Sequence, residues 1–385
     1  MIHYVSTTLA PRRQEGFRIM SDQQIGHPRI NRRDTLRWLG AGGTAAAGLA
    51  LAACSSGTSS ASGNGAGSFP STPSWRFVFI NHVTTNSFFI PTRQGLADAA
   101  KLLGIQTPQW TGDEAGNVAN MVSAFDTAIN GGADGIAIAL TDSNAFIEPT
   151  KRALGKGIPV IAYNAAAPNN YPLAYVGQDL YQSGLLMGRR IAGQVTSGTI
   201  LVGIAQPGAN NLQPRLDGLT AALKQNAPGV TVKPINTGAQ QADELNALTA
   251  AFSGAPDAAG LYAVDAGSTA ACANIITSKG LQGKIHGGGF DTLPDTIKGI
   301  KAGALDFTID QSAYMQGFLT TLHLYLYRLS GTLLKPPQTD TGLTFVTKEN
   351  VAPYVASSAY EGGSSHNLIP MPGSIPLPPA STVTI

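Results

Sequence analysis

The sequence predicts an α/β protein built from two rounds of parallel sheet, on three observations. Short runs that are apolar on both faces recur along the chain, as buried parallel strands require. Between them lie stretches whose apolar residues are spaced by three and four, the stripe of a helix that covers a sheet. The alternation passes through two similar rounds, roughly 75–164 and 174–290, which hold too many strands for one small sheet.

Taken in order, the strand candidates are RFVFIN (76–81), GIAIAL (135–140), IPVIAY (158–163), TILVGIA (199–205), GLYAV (260–264), KIHGGGF (284–290) and LDFTID (305–310). Each is five to seven residues long. Helical spacing marks RQGLADAAKLL (93–103), NVANMVSAFDTAIN (117–130) and LDGLTAALKQN (216–226).

The N-terminal segment reads as an address. Trp38–Ala53 spans only 16 residues, several of them Gly, whereas a membrane-spanning helix needs about 20 apolar ones. Gly40-Ala-Gly42 lacks the preceding strand and the later acidic residue of a dinucleotide loop. Arg32-Arg33, a short apolar run and Leu51-Ala52-Ala53-Cys54 instead look like a twin-arginine export signal ending in a lipobox. That pattern predicts a signal peptide over 1–53, lipidation of Cys54 and an extracytoplasmic, membrane-anchored chain. Met20 is a second candidate start. Residues 54–74 read as a Ser/Gly tether spanning about 25 Å, and 354–385 as a loose Pro/Gly-rich tail.

Composition narrows the function classes. Formal net charge is +2 with only 12% charged residues, so nothing suggests a nucleic-acid surface. With Cys54 lipidated, Cys272 has no disulfide partner and reads as a buried small hydrophobe. HGGG at 286–289 matches an oxyanion-hole motif, but the chain carries no G-x-S-x-G elbow. It also carries no H-E-x-x-H and no P-loop, so no metal or cofactor is implied.

In parallel α/β sheets, ligands sit beyond the carboxyl ends of the strands. Those positions hold Asn86 with Phe88 and Phe89, then Asn164, Arg215, Asp265, Asp291 and Gln311. Each alone is also a plausible cap or turn residue: Asn86 could cap the next helix while both Phe fill the core. Together, amides, carboxylates, one guanidinium and aromatic faces suit a neutral polyhydroxylated ligand, whose hydroxyls need donors and acceptors and whose C–H face packs on rings. Trp110, Asp142 and Tyr163 are further candidates for the wall, with core packing the alternative for Trp110. Thr141 stands beside Asp142, and His82 reads as structural.

Here the motifs become specific. From about Trp75 to Val351 the chain resembles type I periplasmic sugar-binding proteins of the ribose-binding kind, through TNSFF, IPVIAYN, PRLDG, GGFDTLPD and FTIDQ. The resemblance implies two doubly wound parallel-sheet lobes joined by a three-segment hinge. It places 75–164 plus 292–310 in the N-terminal lobe and 165–291 plus 311–353 in the C-terminal lobe. It makes Asn86, Phe88, Phe89, Arg215, Asp291 and Gln311 ligand contacts. Asn164-Ala165 stands where ribose-type proteins carry Asp-Arg, Asp265 where they carry Asn, and Leu140 where a polar residue is usual. These departures point away from ribose toward another pentose, a hexose or a linear polyol. The implied protein is a monomeric solute-binding component that delivers its sugar to an ABC permease driven by separate ATPase subunits. The alternatives are a sugar sensor for a chemoreceptor or kinase, and a glycosidase using Asp265 and Asp291 as its carboxyl pair.

Overall fold

A computed structural model describes residues 72–333 and 337–354. The expected signal peptide, Cys54, the tether up to Ser71 and the tail beyond Tyr354 lie outside the described residues.

The first lobe begins with β1 (Phe77–Asn81), α1 (Ile90–Leu103), β2 (Gln109–Gly112), α2 (Val118–Asn130), β3 (Gly135–Ile138), α3 (Ile147–Gly155), β4 (Val160–Tyr163) and β5 (Ala174–Gly177). The second holds α4 (Leu180–Ala192), β6 (Ser197–Ile204), α5 (Gln213–Asn226), β7 (Gly229–Asn236) and α6 (Gln241–Ser253). It continues through β8 (Gly260–Ala263), α7 (Ala266–Ser278), β9 (His286–Phe290), α8 (Pro294–Lys301) and β10 (Phe307–Asp310). The chain then returns to the first lobe with α9 (Ala313–Ser330) and β11 (Gln338–Asp340), and ends in the second with β12 (Thr344–Val346).

Both sheets have six strands among the described residues, in the orders β11-β5-β4-β3-β1-β2 and β12-β10-β9-β8-β6-β7. Each is one doubly wound parallel unit with an added edge strand; only β12 runs antiparallel to its neighbour. The α/β fold with two doubly wound lobes is therefore as the sequence predicts.

Strand periodicity explains the cores. Phe77 and Phe79 point into one apolar layer with Trp75, Leu96 and Tyr325, while Val78 and Ile80 point into the opposite layer with Met121 and Phe125. In β6, Ile200, Val202 and Ile204 face one layer and Leu201 the other. Both faces are thus covered by helices, the setting in which parallel strands are stable. Cys272 is fully buried in one of these layers.

The lobe boundaries differ from those expected. Phe307–Asp310, expected in the first lobe, pairs with β9 in the second sheet, and Ala174–Gly177, expected in the second, pairs with β4 in the first. Most of 313–340 also belongs to the first lobe, since α9 packs on α1. Each sheet needs its fifth parallel strand before the chain can leave, and that requirement has no local sequence signature. Strand β7 was not foreseen because it is an edge strand with exposed polar residues and a proline, Pro234.

The chain crosses between lobes after β5, β10 and β11. The three crossings are hydrogen-bonded together: Thr341 donates from its N–H to Gly177 O (3.1 Å) and from Oγ1 to Gln311 O (2.8 Å). Gln178 Nε2 donates to Gly342 O at 3.2 Å. Among the described residues no helix is long and apolar enough to cross a membrane.

Candidate functional site

Several strands hand their next residues to the gap between the lobes. Beyond β1, Asn86 Oδ1 accepts from Phe88 N at 2.9 Å and caps the short 3-10 turn Ser87–Phe89. The capping role weighed for Asn86 is therefore real, and it also aims the two rings, whose centroids lie 4.7 Å apart at 79°. Phe89 is buried in the first-lobe core. Phe88 is half-buried and reaches across to Ala266, Ala270 and Leu293 of the second lobe.

Beyond β4 and β9, the chain turns through left-handed backbone at Asn164 (φ 61°) and Asp291 (φ 73°). Asn and Asp tolerate this region better than other non-glycine residues, and such conformations gather where surrounding structure enforces them for a site. A relay of amides joins the two. Gln311 Nε2 donates to Asp291 Oδ1 (2.7 Å), Gln316 Nε2 to Gln311 Oε1 (3.0 Å), and Asn164 Nδ2 to Gln316 Oε1 (3.2 Å). An ionised Asp291 can only accept, so it fixes the direction of every amide in the row. Asn164 Oδ1, at the end, is buried without a hydrogen-bond partner among the described residues.

Arg215 sits in the first turn of α5, clamped from behind by α4. A Cβ at Gly184 would overlap the Arg215 carbonyl, and one at Gly218 the Tyr181 carbonyl, so only glycines allow this close crossing. The guanidinium lies 4.1 Å over the Phe290 ring. It donates from Nη1 to Val264 O (3.1 Å) and from Nη2 to Gln178 Oε1 (3.4 Å), the latter on a hinge crossing. Burial lowers its pKa while the Asp291 charge raises it. Asp291 is pushed up to about 7 by burial, opposed by Arg215 and by the Gln311 hydrogen bond. Asp265 caps α7: Oδ1 accepts from Ser268 N (2.8 Å) and Oδ2 from Ala205 N (2.9 Å).

These elements line a cleft whose empty space, counted out into open solvent, is about 500 Å³. Asn86, Phe88, Phe89, Asn164, Arg215, Asp265, Asp291 and Gln311 all line it. Trp110, Asp142 and Tyr163 do not. Trp110 packs on Phe79, Phe89 and Tyr163 and donates to Thr84 O. Tyr163 is fully buried, its hydroxyl accepting from Asn81 Nδ2 at 2.9 Å. Asp142 spends Oδ1 on the N–H groups of Asn144 and Ala145. In each case a local packing or turn demand takes the side chain away from the cavity.

Sequence reasoning missed His82, Gln206, Asn211 and Glu244, which also line it. His82 does more than the structural role its sequence context suggests: burial lowers its pKa to about 4, so it is neutral, and its Nε2 pairs with Asn211 Nδ2 at 3.2 Å. Asn211 and Gln206 lie in the loop after a recognised strand and were open to the same strand-end argument. Glu244 lies inside a helix and carried no such signal. The lobes also touch directly: Asn210 donates from N–H to Thr141 O (2.9 Å) and from Nδ2 to Leu140 O (3.0 Å). Gln240 Nε2 reaches Glu114 O at 2.9 Å.

Two parallel-sheet lobes, three hydrogen-bonded crossings and a polar cavity at the facing strand ends define a protein with a ligand cleft between its lobes. A periplasmic binding protein domain model matches residues 77–328. The xylose/arabinose-binding protein XylF of Sulfolobus acidocaldarius is 45% identical over 315 residues, 78% of this chain and 77% of that protein. A solute-binding protein of Burkholderia graminis solved with D-arabinose superposes with a TM-score of 0.70 at 26% identity, covering 74% of this chain and 100% of that one. One from Agrobacterium vitis solved with α-D-tagatopyranose gives 0.67 at 26%, covering 75% and 100%. The chain belongs to the periplasmic binding protein family. It is an extracytoplasmic solute-binding protein by family, and the relatives just described are named for sugars or were solved with one bound.

Proposed function

We propose that the cavity holds a monosaccharide of pentose size, with arabinose and xylose the first candidates. The observation that carries this is the set of buried polar atoms in its wall that have no hydrogen-bond partner among the described residues: Asn164 Oδ1, Asn211 Oδ1, Glu244 Oε2, Arg215 Nε and His82 Nδ1. They mix acceptors with donors, and a hydroxyl serves either. Phe88 supplies the flat apolar face for the sugar's C–H side, with Phe89 behind it. Asn86, Asn164, Asp265, Asp291 and Gln311 read hydroxyls, and Arg215 bridges ring or hydroxyl oxygens.

The 45% identical relative, named for xylose and arabinose, and the neighbour solved with D-arabinose support the same class. Burial raises the pKa of Asp265, but both its oxygens already accept backbone N–H groups, so neither is placed to carry a proton to a substrate, which makes it a poor candidate for a glycosidase acid. In the mechanism, sugar binds one open lobe, adds contacts to the other and shifts the population to the closed form. The closed monomer, anchored through a lipid on Cys54 after twin-arginine export, docks on its permease.

The test is thermal unfolding of the purified protein against pentoses, hexoses and polyols. Ligand at 100 times its Kd adds about 2.7 kcal/mol, a shift of several degrees for a body of this size. A pentose recovered intact, with the largest shift, is the expected result. No shift with any carbohydrate sinks the proposal, and a cleaved sugar returns the glycosidase. Mass spectrometry of the membrane fraction checks Cys54: a Cys54→Ser protein should lose its lipid and leave the membrane.

A further inference from the structure

Glu244 enters the cavity from α6, a helix from which the strand-end argument drew no residue. It is 2% exposed, and its Oε2 receives no hydrogen bond from any described residue. Against it lies Gly267, in the first turn of α7, where a Cβ would overlap Glu244 Oε2. The glycine is therefore a spatial requirement of this carboxyl. Any larger residue would push the carboxyl from its place.

Its ionisable partner is Asp265, to which it is hydrogen-bonded. Two buried carboxyls in contact do not both ionise. Burial raises both pKa values, but Asp265 alone accepts two backbone N–H groups at the start of a helix, so it is the first of the pair to ionise. Burial, and then the Asp265 charge, push Glu244 up to about 9. A neutral carboxyl whose hydrogen is given to Asp265 keeps one oxygen as an acceptor.

We propose that Glu244, positioned by Gly267, is a specificity-determining residue of the sugar site, its free carboxyl oxygen accepting a hydrogen bond from one ring hydroxyl. This rests on the sugar-binding reading above. The consequence is discrimination: a deoxy sugar, or an epimer whose hydroxyl points elsewhere, leaves the buried oxygen unpaired. The other charged groups around it are Asp243 on its own helix, Arg215 on α5 and Asp291 after β9; His82, from the first lobe, is neutral. Losing the Glu244 proton would set a second negative charge beside Asp265 and weaken closure on the sugar.

The experiment is calorimetric titration of the wild-type protein, Glu244→Leu and Gly267→Ala with the best-bound pentose and its monodeoxy analogues. One deoxy position should cost about tenfold in affinity beyond what it costs in either variant. Equal penalties in all three proteins at every position would overturn the inference and leave the sugar reading intact. No sugar bound by the wild type would overturn both. Should Glu244→Leu fail to fold, Glu244→Gln carries the question, because it supplies an acceptor and a donor toward Asp265 without a titrating proton. Wild-type affinity should fall above about pH 9, and that of Glu244→Gln should not; the same fall in both, or none in the wild type, overturns the inference.

Discussion

The two lobes share one topology and divide the chemistry unequally. The first-lobe wall of the cavity is Val83, Asn86, Phe88, Phe89 and Asn164 with a neutral His82, and it carries no ionised side chain. The second-lobe wall holds Arg215, Glu244, Asp265 and Asp291. One lobe thus offers an apolar face with amides, the other a buried charge cluster already organised by its own hydrogen bonds. Closing the apolar wall over the charged one removes water, and charge–ligand hydrogen bonds strengthen as the local dielectric falls. A fold repeated twice therefore does not imply a site built twice.

The most damaging way to break that asymmetry is Asp291→Ala. It strips Arg215 of the carboxylate that supports its charge and leaves the Gln311–Gln316–Asn164 relay without its fixed acceptor. Loss of a buried hydrogen-bonded charge costs about 3 kcal/mol, so sugar affinity should drop by at least about 100-fold. Calorimetric titration checks it; an affinity within threefold of wild type (about 0.7 kcal/mol) would refute the charged-wall account.

On the first lobe, Phe88→Ala and Phe89→Ala should separate binding from folding. Phe88 is half-buried, so its truncation should cost about 2 kcal/mol of sugar binding with little change in the ligand-free Tm. Phe89 is 2% exposed in the core, and its truncation should cost about 3–5 kcal/mol of stability. Equal Tm losses in the two variants would contradict this split.

The charge cluster also predicts a pH response of definite sign. Asp291 and Glu244 have folded pKa values raised to about 7 and about 9. The folded state therefore holds protons that the unfolded state releases. Their stabilisation of the ligand-free protein is complete below their unfolded values near 4 and is lost as pH rises through 7 and then 9. Chemical denaturation between pH 5 and 9 should show stability falling, and Asp291→Asn should flatten the lower part of that decline. Sugar affinity should move the other way between pH 5 and 7.5, because a hydroxyl donated to Asp291 favours its ionised form.

The smallest effect belongs to the rim. Asn210→Ala removes the side-chain hydrogen bond to Leu140 O across the cleft. About 1 kcal/mol of closed-state stability, or roughly fivefold in affinity, should go, chiefly through faster sugar release. Stopped-flow dissociation measures it; an unchanged rate would mean that this contact does not hold the lobes together.

Much of the site was legible because parallel sheets impose a rule on position. A polar residue directly after a buried strand must face the gap, be a cap, or do both, as Asn86 and Asp265 show. The same rule overreached at Asp142, where the turn absorbed the carboxylate, and at Trp110 and Tyr163, where aromatic packing did. It could not reach Glu244. A glutamate in an amphipathic helix reads as solvated until the neighbouring α7 is set beside it, and a glycine at 267 has no meaning until the carboxyl is there to need the space.

By itself, then, the sequence determined the α/β class, the two rounds of sheet and the strand-end polar residues, since all three follow from local periodicity and a handed, parallel topology. Tertiary structure alone decided where the chain changes lobe, because completing a sheet depends on partners far away in sequence. It alone decided how charge is shared between the lobes, because pKa values and hydrogen-bond partners are properties of burial and proximity. A one-dimensional pattern does not contain these.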